Sequence, residues 1–155
     1  MGGRIEAKLK ELGIELPAAT APIANYVPFT RSGNLVVVSG QVSVRNGKPE
    51  FVGKLGREIS VAEGQQAARL CALNILAHLR TACDGDLDRV ERVLRLGGFV
   101  NCTPDFTEMP QVVNGASDLM VAVFGDAGKH ARAAVGVSSL PLGVAVEVEA
   151  MFEIA

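Results

Sequence analysis

The chain ends on "HARAAVGVSSLPLGVAVEVEAMFEIA", His130 to Ala155. It reads as two apolar strands around a Leu-Pro turn, and how they pair decides the fold. With "SSLPLG", Ser138 to Gly143, as the turn, an antiparallel register sets Val137 opposite Val144, Val135 opposite Val146 and Ala133 opposite Val148. All three pairs are apolar, which supports that register. It also places Arg132 opposite Glu149 and Ala134 opposite Glu147 on the other face, with Glu147 diagonal to Arg132. Two readings of that face stand. Spacing alone fits a surface cross-strand ion pair, the commoner arrangement and one worth little energetically. It also fits a pocket floor, in which the arginine, one or two carboxylates and the small residues Ala134 and Gly136 receive a small carboxylated molecule.

Working back from this hairpin, "FTEMPQVVNGASDLMVAVFGDAG" (106–128) predicts a helix with Val112, Ala116, Leu119 and Val123 on its apolar face and Pro110 in its first turn. "DLDRVERVLRLGGFVNC" (86–102) predicts a strand. "VAEGQQAARLCALNILAHLRTAC" (61–83) predicts a long helix with Ala68, Ala72, Ile75 and Leu79 along one stripe. Ser60, with Glu63 three residues on, forms a capping box in front of it. "RNGKPEFVGKLG" (45–56) reads as an exposed loop, and "NYVPFTRSGNLVVVSGQVSV" (25–44) as a hairpin turning at "RSGN". Residues 1–17 add a helix that Gly13 stops. The order hairpin, helix, strand, helix, hairpin predicts a single α+β domain over residues 1–155, one sheet covered on one face by two helices. The uncovered face then meets water or another subunit, and strands such as Leu35 to Val38, apolar on both faces, favour an oligomer that buries it.

Composition narrows the function classes. Of 155 residues 21% are charged and the formal net charge is −2, so no electrostatic footprint for nucleic acid or an anionic membrane is visible. No apolar run approaches the roughly 18–20 residues that span a bilayer, and "MGGRIEAKLKELG" lacks a secretory apolar segment. The three cysteines, Cys71, Cys83 and Cys102, show no CxxC spacing and fit reduced thiols, which together point to a cytoplasmic protein. His78 and His130 stand too far apart, without carboxylate spacing, to predict a metal site. His78 reads as a packed or surface residue in its helix. His130 reads as a surface loop residue, the alternative being a proton donor beside Arg132. Glu149 is the expected neutralising partner of Arg132.

"ARAAVGVSSLPLGVAVEVEA" resembles the C-terminal signature of the reactive-intermediate deaminase family, RidA/YjgF: an arginine, a short strand, a Leu-Pro turn and a Val-Glu-Val-Glu-Ala strand. "NYV" at Asn25 to Val27, "VVVSGQVSV" at Val36 to Val44, "AARLCALNILAHL" in the long helix and "VVN" at Val112 to Asn114 match further family motifs in order. The helix before Pro17 resembles the extension of a longer subgroup. The resemblance implies a chorismate-mutase-like α+β fold, assembled as a homotrimer around a barrel of three sheets, with sites in the clefts between subunits. It implies cofactor-free hydrolysis of reactive enamines and imines, such as 2-aminoacrylate, to 2-oxo acids and ammonia.

Position by position, the resemblance makes Arg132 the residue that binds the substrate carboxylate, which its planar fork can take bidentately. Glu147 becomes the holder of the attacking water. Tyr26 stands at the mouth of the site, reaching in from a neighbouring subunit. Ser39 and Gly40 contribute a hydroxyl and backbone contacts, Ala134 stands where the best-known members carry a cysteine, and Asn114 is a further match on the second helix. His130 replaces a frequent proline. Three function classes follow: an imine/enamine deaminase, a non-enzymatic small-carboxylate binder on the same scaffold, and a ribonuclease. The acidic balance and the lack of a basic aromatic surface count against the last.

Overall fold

A computed structural model describes residues 3–19 and 25–155. Its elements run α1 (Arg4–Glu11), β1 (Phe29–Ser32), β2 (Leu35–Val42), β3 (Val44–Arg45), β4 (Lys48–Pro49), α2 (Val61–Ala82), β5 (Val90–Asn101), α3 (Met109–Phe124), β6 (Ala131–Val137) and β7 (Val146–Ile154). The main sheet has the order β1-β2-β7-β5-β6. The two helices and the first hairpin stand where the sequence predicts them, and Ser60 and Glu63 close the capping box on α2 in both directions.

The terminal hairpin does not form. β6 runs parallel to β5, whereas β7 pairs antiparallel with β5 on its other side and with β2. The reason lies in the connections. α3 carries the chain back along β5, and a strand that follows a helical crossover lands parallel to the one before it. The eight residues 138–145 are then too long for a tight turn. They kink at Leu142 (φ 61) and Gly143 (φ 70) and step over the end of β5 to reach the far side. Asn101, the last residue of β5, fastens this crossing: its amide N donates to the Ala145 carbonyl at 2.8 Å and its side chain to the Val144 carbonyl at 3.1 Å. The apolar pairs that suggested a hairpin carry no partner information, because β5 offers either strand an equally apolar edge.

Both helices lie on one face of the sheet. Val146, Val148, Ala150, Phe152 and Ile154 of β7 point into that core, and the alternate Glu147, Glu149, Met151 and Glu153 line the open face. Truncating a core ring such as that of Phe152, fully buried, belongs to the class of changes that costs about 3–5 kcal/mol. The open face also shows Leu35, Val37 and Val135 as exposed apolar side chains. Residues 45–56 are less simple than the exposed loop expected. β3 and β4 make a two-residue hairpin over Asn46-Gly47, both with positive φ, and Leu55 is fully buried against the end of β5.

α1 is docked as well. Ile5 and Leu9 are buried, Arg80 of α2 pairs with Glu6, and Asp88 accepts hydrogen bonds from the backbone N–H of Arg4 (2.9 Å) and Ile5 (2.8 Å). No helix among the described residues is long and apolar enough to cross a membrane. α2 and α3 touch most closely at Gly115, where a Cβ would overlap the Gln65 carbonyl oxygen. Since backbone, not a flexible side chain, fills that space, Gly115→Ala is expected to lower stability by about 3 kcal/mol, the upper part of the overpacking range. A urea titration checks this through its midpoint.

Candidate active site

Arg132 is the second residue of β6, the edge strand, in one row with Leu96 and Ala150, both buried. It therefore sits on the helix-covered face, under α3. Its Nη1 donates to Asn114 Oδ1 at 2.8 Å and Ser117 Oγ at 3.1 Å, and its Nη2 to the Pro110 carbonyl at 3.4 Å. A guanidinium has five N–H donors. With Nη1 doubly engaged, Nε–H and the second Nη2 hydrogen make no bond among the described residues. These two lie along one side of the plane, the geometry that takes a carboxylate bidentately. Ala134 follows on the same face, and Gly136 after it, where a side chain would press on Cys102 Sγ. Beyond Gly136 opens a cleft of about 620 Å³ between the end of β5, the start of α3 and residues 54–57. Lys54 at its rim is held by Asn101 Oδ1 (2.6 Å) and the Ser138 carbonyl.

The glutamates are elsewhere. Glu147 shares its row with Phe99 and Val42, on the open face, two strands from β6. The expected grouping of Arg132 with Glu147 and Glu149 on one open face is thus overturned, since a parallel β6 reverses the facing that the hairpin register gave Arg132. Glu149 does not neutralise Arg132. Its partner is Arg95, at 3.1 Å across the open face. Glu147 makes no ion pair or side-chain hydrogen bond among the described residues. Half-buried and beside the charge of Glu149, its carboxyl is pushed above the usual carboxylate range, first by desolvation and then by that neighbour.

Ser39 and Gly40 gather around Glu147. β2 bulges between Val38 and Gln41, and at the bulge Gly40 leaves the space that the Glu147 carboxyl fills. Ser39 fastens the segment before β1, its N–H donating to the Pro28 carbonyl and its hydroxyl to the Val27 carbonyl at 2.7 Å. That segment holds Tyr26 out in solvent, 61% exposed. One chain accordingly carries two separate clusters. Arg132, Asn114 and Ala134 lie at one edge of the sheet, on the helix side. Tyr26, Ser39, Gly40 and Glu147 lie toward the other edge, the last on the open side.

Two further residues belong to the first cluster. Ser117 goes unnoticed in the sequence, although Asn114 and Ser117, three apart beside the buried Val113 and Ala116, signal polar groups turned toward the sheet. His130 is not the surface loop residue expected: Nε2 lies 2.8 Å from Ser117 Oγ and Nδ1 lies 2.7 Å from the Gly128 carbonyl. His78 is packed, and burial lowers its pKa. Cys71 and Cys83 are buried thiols pushed up by desolvation, which makes them inert core residues.

A mixed five-stranded sheet with two helices on one face, an arginine held ready at one edge and a bulge-embraced carboxylate toward the other define a chorismate-mutase-like domain. Residues 6–154 match the family described as "YjgF/chorismate_mutase-like, putative endoribonuclease", and the chain belongs to it. It is 52% identical over 153 residues to protein TCP17 of Trypanosoma cruzi, a match that covers 98% of this chain and 95% of that one. The crystal structure of Atu1372 from Agrobacterium tumefaciens is also 52% identical, covering 97% and 92% of the two chains with a TM-score of 0.91. A Shewanella oneidensis protein that carries the endoribonuclease label is 36% identical, with a TM-score of 0.93 over 98% of this chain and all of that one (100%).

The raised pKa of Glu147 has a definite sign for stability. Between its ordinary and its raised pKa the folded chain holds a proton that the unfolded chain has released, so stability falls as pH rises through that window. Glu147→Gln removes the penalty. The variant is expected to melt higher than wild type at pH 7 and to match it below pH ~4, where both carboxyls are protonated; melting curves at the two pH values check this.

Proposed function

We propose that the chain assembles as a homotrimer in which the Arg132 cluster of one copy faces the Ser39–Gly40–Glu147 cluster of the next, and that the completed cleft hydrolyses 2-imino and enamine acids. The observation that carries this reading is the free side-on pair of donors on Arg132, held rigidly by Asn114, Ser117 and the Pro110 carbonyl. A guanidinium so placed selects a planar carboxylate. The separation of the two clusters supports the assembly, because one chain alone offers the clamp and the carboxylate to different spaces.

In the proposed reaction the substrate carboxylate docks on Nε and Nη2 of Arg132. Glu147 accepts a proton from water as the oxygen attacks the imine carbon, and a carbinolamine forms. That proton goes to nitrogen to complete the carbinolamine, the hydroxyl proton follows through Glu147 to the same nitrogen as the C–N bond breaks, and ammonia leaves with a 2-oxo acid in its place. Each turnover consumes one water and needs no oxidant or cofactor. A carboxyl whose pKa is raised toward neutrality suits both proton transfers. In this reading Tyr26, exposed on its own chain, covers the mouth of a neighbour's cleft. Substrates are small molecules in this reading, and the work is done in the cytoplasm.

A second reading has its own support. The Arg132 clamp is complete within a single chain, so it can bind a small carboxylate without Glu147 and serve as a ligand-responsive protein on the same scaffold. The ribonuclease label fits less well, since a chain of net charge −2 offers a phosphate backbone little attraction.

The discriminating experiment measures 2-oxo acid release from imines generated in situ by an amino-acid oxidase or a dehydratase. Wild type is expected to exceed the enzyme-free rate, and Arg132→Ala to lose about 100-fold in kcat/KM, the worth of a charge-assisted bidentate contact. A wild type that matches the enzyme-free rate across several imines sinks the deaminase and leaves the binder. A solution mass three times that of the chain supports the trimer, and a monomer removes the role of Tyr26.

A further inference from the structure

The hydrogen bonds behind Arg132 can be directed one by one. The Gly128 carbonyl can only accept, so the 2.7 Å contact from His130 places a hydrogen on Nδ1. In the neutral ring Nε2 is then a bare acceptor. Ser117 Oγ, 2.8 Å away, has one hydrogen and gives it to Nε2. Its lone pairs are left for Arg132 Nη1 at 3.1 Å. The chain of donors thus runs Arg132 to Ser117 to His130 to Gly128, with no rotor left free. Its far end is fixed too: Gly128 closes the turn Gly125–Gly128, packed so tightly on α3 that a Cβ there would overlap the Met120 carbonyl. A hydroxyl that donates to an imidazole is also a stronger acceptor for the guanidinium.

We propose that Ser117 and His130 are positioning residues, which lock the guanidinium of Arg132 so that its Nε/Nη2 side, and not its Nη1/Nη2 end, receives the substrate carboxylate. The inference rests on the reading of Arg132 as the carboxylate clamp. Without the lock, the Ser117 hydroxyl turns to another acceptor and Nη1 regains a free hydrogen. The guanidinium is then tied only by Asn114 and the Pro110 carbonyl, and its Nε/Nη2 side loses its fixed alignment to the carboxylate. The charge remains, so binding weakens without vanishing.

The test compares His130→Phe, His130→Gln, His130→Asn and Ser117→Ala with wild type and Arg132→Ala. Affinity for 2-oxobutyrate is read by calorimetry, with KM and kcat where imine hydrolysis is measurable. Phenylalanine keeps the ring but removes the acceptor. Glutamine carries an amide oxygen at the reach of Nε2 and can accept from Ser117, whereas asparagine reaches only as far as Nδ1. His130→Phe and Ser117→Ala are each expected to weaken binding about tenfold. The loss falls on KM and not on kcat, because the carboxylate contact is made equally in ground and transition states. His130→Gln restores affinity to within about twofold and His130→Asn does not, while the His130→Phe/Ser117→Ala double variant loses no more than either single one. Wild-type affinity in His130→Phe and Ser117→Ala overturns the proposal. So does a loss that is additive in the double variant or tracks melting temperature instead of the Gln/Asn difference. If wild type and Arg132→Ala both fail to bind 2-oxobutyrate, it is the clamp reading that fails. The lock itself is then decided by nitrogen NMR. A His130 ring protonated at Nδ1, and an Arg132 Nε–H signal that moves in Ser117→Ala and His130→Phe but not in His130→Gln, sustain it; the absence of either overturns it.

Discussion

The end of β5 is held by one buried amide, and the remaining topology depends on it. Asn101, 4% exposed, uses its side-chain nitrogen for the carbonyls of Gly53 and Val144 and its oxygen for Lys54, while its backbone serves Ala145 and Leu55. Three segments from distant parts of the sequence meet there: the loop before α2, the end of β5 and the crossing between β6 and β7. A buried amide stripped of these partners costs about 1–3 kcal/mol, and no apolar residue of similar size can replace its three side-chain contacts. Because Asn101 fastens the crossing, β7 lies inside the sheet and β6 at its edge. Because β6 is at the edge, Arg132 has α3 on one side and open space on the other.

The same constraint explains what could be read in the sequence. Helices α2 and α3 declare themselves through period and caps, since Ser60, Glu63 and Pro110 act locally and need no knowledge of distant strands. The first hairpin is equally local. Strand partnership is not. Val135, Val137, Val144 and Val146 satisfy any apolar neighbour, so matching them to one another was no test of adjacency. Facing follows partnership: strands alternate with period two, and placing Arg132 in the row of Ala150 instead of Glu149 moves it through the sheet. The candidate residues were legible one at a time, Arg132, Asn114 and Ala134 as one group and Ser39, Gly40 and Glu147 as another. Their division into two groups was not. Ser117 escaped because it is unremarkable in its own segment, and His130 reads as a surface residue because its contact with Ser117 acquires meaning only through Arg132.

Charge on the open face is arranged with similar economy. Arg95 neutralises Glu149, and Gly97 leaves room for that contact. Glu147 is left without a cation, close to Glu149 and beneath the bulge of β2. An unpaired carboxylate in a half-buried place is a standing cost, and the fold concentrates it at one residue. Val135 in its row, with Val37 and Leu35 farther along the sheet, makes the face apolar enough to be covered, which would desolvate Glu147 further and raise its pKa again.

The cap on α1 carries a consequence for the order in which the chain becomes structured. A helix of eight residues is marginal on its own. The N–H groups of its first two residues gain acceptors only from the carboxylate of Asp88, which stands more than eighty positions later, just before β5. A ribosome must therefore carry synthesis as far as Asp88 before this helix has its cap. Residues 4–11 are made early but settle only after the segment that leads into β5.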